Sequence, residues 1–88
     1  MSMEEYPVSN CNVCSQGWIL IVEEQKTSTC FLYCNECETE WDNPIEFFAG
    51  KEGTKNKYGV VREATDWHIK DIGWDKYINN DLKNRLTP

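Results

Sequence analysis

The sequence predicts an α+β fold, a short antiparallel β-sheet built on two CxxC knuckles and followed by C-terminal helices. Three observations carry this prediction. Four of the five cysteines fall into two pairs, Cys11/Cys14 and Cys34/Cys37. The segment between the pairs holds two runs of β-branched and aromatic residues, the mark of a hairpin. Beyond residue 57, apolar residues at helical spacing and cap signals at Thr65 and Gly73 take over.

At 88 residues the chain is expected to form a single domain, a β region over 1–48 with a loop, short strand and helices of 49–88 packed on it. Ordering such a chain costs roughly 130 kcal/mol at about 1.5 kcal/mol per residue, and burial at this size barely offsets that. A structural staple is therefore expected, and the cysteines are its candidates.

In chain order, "GWILIVEE" (17–24) reads as a strand, "QKTS" as a turn, and "TCFLY" (29–33) as the returning strand. "ETEW" follows the second knuckle as a third short strand and "DNP" closes it. "IEFF" (45–48) fits either a strand or a helical turn. "AGKEGTKNK" (49–57), with its glycines and lysines, reads as an exposed, mobile loop, and "YGVVRE" (58–63) as another strand. Thr65 can cap a helical turn over 66–72 that Gly73 ends. From Asp75 a second helix is expected, with Trp74, Tyr77, Ile78, Leu82 and Leu86 forming one stripe and Pro88 unable to continue it.

The cysteines could form disulfides or hold a metal. The opening "MSMEEYPVSN" lacks the apolar core of an export signal, which predicts a cytoplasmic protein. No run approaches the ~18 apolar residues of a membrane span. With an odd cysteine count and paired spacing, metal is favoured over bridges. In C-x2-C-x19-C-x2-C the expected ligands are Cys11, Cys14, Cys34 and Cys37, holding one structural Zn²⁺ with no position open to substrate. Iron in a rubredoxin-like site would take the same ligands. On this motif residues 9–42 resemble the zinc-ribbon group of folds, with Ser15 and Glu38 where a glycine usually follows each knuckle.

Cys30 is then the spare. It shares a strand face with Leu32 and is expected to pack as a small apolar residue. A reactive thiol, or a ligand exchange through Cys30-x3-Cys34, is the alternative.

The rest of the sequence offers little catalytic apparatus. The single histidine, His68, has only Asp66 and Asp71 as sequence neighbours for acid–base work, and the pairs Glu23/Glu24 and Glu38/Glu40 read as ordinary exposed strand acids. No phosphate-cradling loop or nucleophile elbow is visible, so a non-enzyme is expected.

Charge is uneven. Residues 1–48 carry nine acids and one base, net −8, while 49–88 carry eight bases and six acids, net +2. The metal-bearing half is thus the opposite of a phosphate-binding footprint. Most of Trp18, Trp41, Trp67 and Trp74 are expected in the core. Trp41 stands out because acids alternate around it, so Glu36, Glu38, Glu40, Trp41 and Asp42 are the candidate partner-binding residues. "YCNECETEWDNP" (33–44) is similar to the second knuckle of small zinc-ribbon proteins found beside bacterial toxin genes. That resemblance implies an immunity protein, an acidic inhibitor that neutralises a basic, nuclease-type toxin. A zinc-ribbon adaptor in a transcription or translation assembly is the alternative, and direct nucleic-acid binding through "KEGTKNK" ranks third. A monomer is expected, with dimerisation through the C-terminal stripe as the other possibility.

Overall fold

The computed structural model describes residues 5–86 and has an antiparallel sheet with short helices. Its centre is the hairpin of β2 (Trp18–Glu24) and β3 (Cys30–Cys34), whose register runs from Ile19 opposite Cys34 to Glu23 opposite Cys30. Alternation divides these strands between two faces. Ile19, Ile21, Cys30, Leu32 and Cys34 face the main core, with Tyr6, Val8, Trp41, Phe47, Ala64 and Ile69. Leu20, Val22 and Phe31 face a smaller cluster covered by Trp18, Tyr33, Tyr58 and Val61, in which the Phe31 and Tyr58 rings stack at 3.9 Å. Both faces are covered, which explains a continuous apolar run where a half-exposed strand would alternate.

On the far side of β2, β1 (Pro7–Asn10) pairs with residues 18–20 and β5 (Val61–Glu63) with residues 22–24, both antiparallel. On the other flank β4 (Glu40–Trp41) pairs with β3. The expected strands at "YGVVRE" and "ETEW" are therefore shorter than read. Strand β1 was not visible in the sequence: its register slips between Pro7 and Ser9, and its place comes from pairing with β2.

"IEFF" resolves as helix α1 (Pro44–Phe48), because the Asn43 side chain accepts from Glu46 N–H at 2.9 Å and Pro44 suits the first turn. Helix α2 (Asp66–Asp71) starts at Thr65, whose hydroxyl accepts from His68 N–H at 3.3 Å, and ends at Gly73 with φ +77°. The helix expected from Asp75 is in fact two pieces. A 3-10 turn (Asp75–Tyr77) stops at Ile78, which is extended, and α3 (Asn80–Leu86) begins after it. The cause is Asn79, whose side chain caps α3 by accepting from Leu82 N–H at 3.2 Å while its own N–H reaches the Pro7 carbonyl at 2.8 Å.

The broken helix still buries most of its stripe. Trp74, Tyr77 and Ile78 pack on the main core, and α3 lies beside β1 with Leu82 buried. The Leu86 side chain and Pro88 lie outside the described residues. Among the described residues no helix is long and apolar enough to cross a membrane.

Leu82 is 6% exposed. Leu82→Ala should therefore cost about 2–5 kcal/mol in urea unfolding. The exposed Asn84→Ala should change stability by less than about 0.5 kcal/mol.

Candidate metal centre

The two knuckles are built alike. In the first, Val13 N–H points at Cys11 Sγ (3.4 Å) and Cys11 N–H donates to the Gly17 carbonyl (2.9 Å). In the second, Glu36 N–H points at Cys34 Sγ (3.4 Å) and Cys34 N–H donates to the Thr39 carbonyl (3.0 Å). Each turn then closes through one left-handed residue, Ser15 at φ +61° and Glu38 at φ +62°. These are the positions where glycine would be expected, and the backbone adopts glycine's conformation without it.

Gly17 brings the knuckles together. A Cβ at this position would lie 2.6 Å from Cys34 Sγ and 2.8 Å from Asn35 Oδ1, so no side chain fits between the two turns. Asn35 fastens the same junction: its Oδ1 accepts from Trp18 N–H at 2.9 Å, and its N–H donates to the Trp18 carbonyl at 3.2 Å.

The result is four sulfurs, from Cys11, Cys14, Cys34 and Cys37, close enough to hold one metal ion. Cys11 Sγ is 3.7 Å from Cys37 Sγ, and Cys14 Sγ is 3.7 Å from Cys34 Sγ. Sulfurs bonded at about 2.3 Å to one tetrahedral ion stand about 3.8 Å apart, whereas a disulfide would bring two of them to about 2.05 Å. The spacing is that of metal ligands. The charges agree. Burial pushes the Cys34 thiol up to about 12. Burial also opposes ionisation of Cys37, but the Thr39 hydroxyl and N–H and the adjacent sulfurs outweigh it and bring Cys37 to about 6. Backbone N–H groups of Gln16 and Gly17 lower Cys14. Sulfurs this close cannot all become thiolates unless a cation sits among them.

The candidate partner-binding residues divide. Glu36 and Glu38 are exposed on the second knuckle. Trp41 is not the exposed anchor expected of it: it is 4% exposed, edge-on to Phe47, with its indole N–H donating to the Lys51 carbonyl at 2.9 Å. Glu40 is equally buried and accepts from Lys57 N–H at 3.0 Å and Tyr58 N–H at 3.4 Å. Asp42 is half-buried, accepting from Lys57 Nζ at 2.6 Å and the Tyr58 hydroxyl at 2.5 Å. These three residues pin the lysine-rich loop to β4. The tryptophan that does face solvent is Trp67, 70% exposed.

One constellation escaped the sequence reading. Glu23, taken for an exposed strand acid, is 3% exposed. It meets His68 Nδ1 at 2.5 Å and Arg62 Nε at 2.8 Å, and burial disfavours its charged form less than these two partners favour it, so its pKa lies below the ordinary carboxylate value. Cys30 is buried on the same sheet face, with Sγ 3.6 Å from His68 Nδ1. Burial, then the Glu23 charge, push its thiol up to about 11. His68 thus finds its carboxylate on another strand, not in Asp66 or Asp71.

The chain matches no protein-family model, no curated protein and no solved structure. Its chemistry is therefore read from the site itself.

A metal site of this kind contributes roughly 10–16 kcal/mol in small zinc-finger peptides, as much as the stability of a whole domain. Cys14→Ser or Cys37→Ser should lose both bound metal and fold, and Gly17→Ala should lower metal content and melting temperature by prising the knuckles apart. Cys30→Ser should keep the ion of the four-cysteine site. Elemental analysis of dialysed protein, with thermal melts, checks each outcome.

Proposed function

We propose that the protein is a zinc-ribbon protein-binding module without catalytic activity, whose four cysteines hold one structural Zn²⁺ and whose second knuckle docks a basic partner protein. Zinc is the natural occupant of a closed set of four thiolates, being redox-inert and content with a tetrahedron. The five free cysteines suit the reducing cytoplasm.

The observation that carries the partner reading is the exposure of Glu36 and Glu38 on a knuckle that a metal would make rigid. Among the described residues neither enters an ion pair, whereas Glu23, Asp42 and Glu46 all do. A rigid acidic surface loses little entropy on docking, and its charge speeds encounter with a cationic cleft. Val13, 56% exposed on the adjoining knuckle, supplies an apolar contact in place of Trp41. Within this reading, the likeness of residues 33–44 to toxin-locus ribbons favours an immunity protein that blocks a basic nuclease.

The adaptor reading has an observation of its own. Ile45 and Phe48 on α1 are 68% and 57% exposed, apolar surface that a larger transcription or translation assembly could cover. Direct nucleic-acid binding is weakened, since Lys51 and Lys57 already pair with Glu46 and Asp42.

Glu36→Lys combined with Glu38→Lys separates these readings. The double variant should keep its metal content and melting temperature. It should lose salt-sensitive capture of a basic protein from extracts of the source cell, and the parent should inhibit that protein's nuclease activity. Equal capture by parent and variant would remove the acidic knuckle from consideration. An Ile45→Asp variant that alone loses a partner would favour the adaptor.

A further inference from the structure

The donor atoms of Glu23, Cys30 and His68 lie within 4.8 Å of one another, brought together from β2, β3 and α2. We propose that these three residues form a second metal site, separate from the four-cysteine centre and suited to Zn²⁺.

A catalytic triad is the first alternative for cysteine, histidine and carboxylate in contact, and the geometry is against it. A relay needs the thiol on one ring nitrogen and the acid on the other. Here Nδ1 serves both: it is 2.5 Å from Glu23 Oε2 and 3.6 Å from Cys30 Sγ, with Nε2 farther from the sulfur at 3.9 Å. Sulfur and oxygen approach the same ring nitrogen, with the donor atoms of all three residues within 4.8 Å of one another. Convergence is what a metal requires.

The separations support an ion. A sulfur and an imidazole nitrogen bonded to one tetrahedral zinc stand about 3.6 Å apart, given bonds of about 2.3 and 2.0–2.1 Å. The observed Sγ to Nδ1 distance is 3.6 Å. The nitrogen and carboxylate oxygen, now hydrogen-bonded at 2.5 Å, would open to about 3.3 Å around the ion, a shift of under an ångström. The ion takes the thiol proton's place, that proton leaving to solvent, and Nδ1 is freed by loss of its proton from an imidazolium or by its transfer to Nε2 in a neutral ring.

The surroundings are prepared for this. Glu23 Oε1 is held by Arg62, whose Nε and terminal nitrogen each lie 2.8 Å away, and the terminal nitrogen also donates to Ser28 Oγ at 2.7 Å. Oε2 is thereby aimed at His68 and Cys30, the orienting role that partners behind a metal ligand commonly play. Carboxylate, thiolate and a dication sum to no net charge, which suits a buried position. The His68 side chain is 19% exposed, so water can reach a fourth position from that side. Four thiolates on one tetrahedral ion would leave no such position at the four-cysteine centre. This second site is therefore the weaker and more exchangeable of the two.

Cobalt(II) is the probe, because its bond to a thiolate gives a charge-transfer absorption in the near ultraviolet. Protein first loaded with one equivalent of zinc is titrated with cobalt(II). The parent should bind one further equivalent with a thiolate–cobalt band, and Cys30→Ser should lose that band and bind at least tenfold more weakly. His68→Ala and Glu23→Gln should also weaken binding tenfold or more. Retained zinc and an unchanged circular dichroism spectrum report that each variant is folded. Absence of a thiolate–cobalt band in the parent would overturn the proposal. So would a band that persists in Cys30→Ser, since cobalt would then be entering the four-cysteine site.

Discussion

Four sulfurs in mutual contact are the constraint on which the fold turns. Thiolates at such spacing repel, and neutral thiols there gain little, so the cluster has a low energy only around a cation. Bringing the four sulfurs together falls to the backbone. The β2–β3 register places Cys34 opposite Ile19, Gly17 admits the second knuckle against the first, and Asn35 fastens both turns to the start of β2. Each device works at backbone distance, where a single added methyl group is felt.

The uneven charge of the sequence takes on a different meaning in three dimensions. Three acids of the first half pair with the second: Glu46 with Lys51, Asp42 with Lys57, and Glu23 with both Arg62 and His68. Buried Glu40 adds backbone N–H groups of Lys57 and Tyr58 to this list. Four of the nine acids of residues 1–48 therefore fasten the C-terminal half to the sheet and are not displayed to a partner. What remains outward on the second knuckle is narrower than composition implies, chiefly Glu36 and Glu38. Two carboxylates on a rigid turn still make a local field, but a small one.

What could be read from the sequence was what neighbouring residues determine. The knuckle spacing identified all four clustered cysteines, the apolar runs identified the hairpin, and period-two alternation placed Cys30 beside Leu32 on the core face. Thr65 announced its helix through a hydroxyl that reaches only three residues on. What could not be read depended on distant partners. Trp41 looked exposed because acids flank it, yet Phe47 and the backbone at Lys51 and Gly53 cover it. Glu23 looked like a surface acid until Arg62 and His68 arrived from 39 and 45 residues away. The break at Ile78 was written in Asn79, but an asparagine inside a helical stripe signals a cap only when its backbone finds Pro7. Burial of a charged residue is a tertiary fact, and local pattern does not carry it.

The same distinction separates the two clusters. Glu23 and Cys30 face each other across a tight turn, where Glu24 N–H donates to the Thr29 carbonyl at 2.9 Å, so their pairing is local. The opposite end of the hairpin has no turn to close it, and there the two knuckles meet through their four sulfurs. The β2–β3 unit is thus closed by the chain at one end and by a four-sulfur cluster able to hold a metal ion at the other. Residues 11–39 supply the four-cysteine site, from Cys11 to the Thr39 groups that meet Cys34 and Cys37. The Glu23, Cys30 and His68 cluster is different: it exists only once α2 has docked, because His68 comes from 38 residues beyond Cys30. One cluster therefore reports that the hairpin has formed, and the other that the C-terminal half has closed over it.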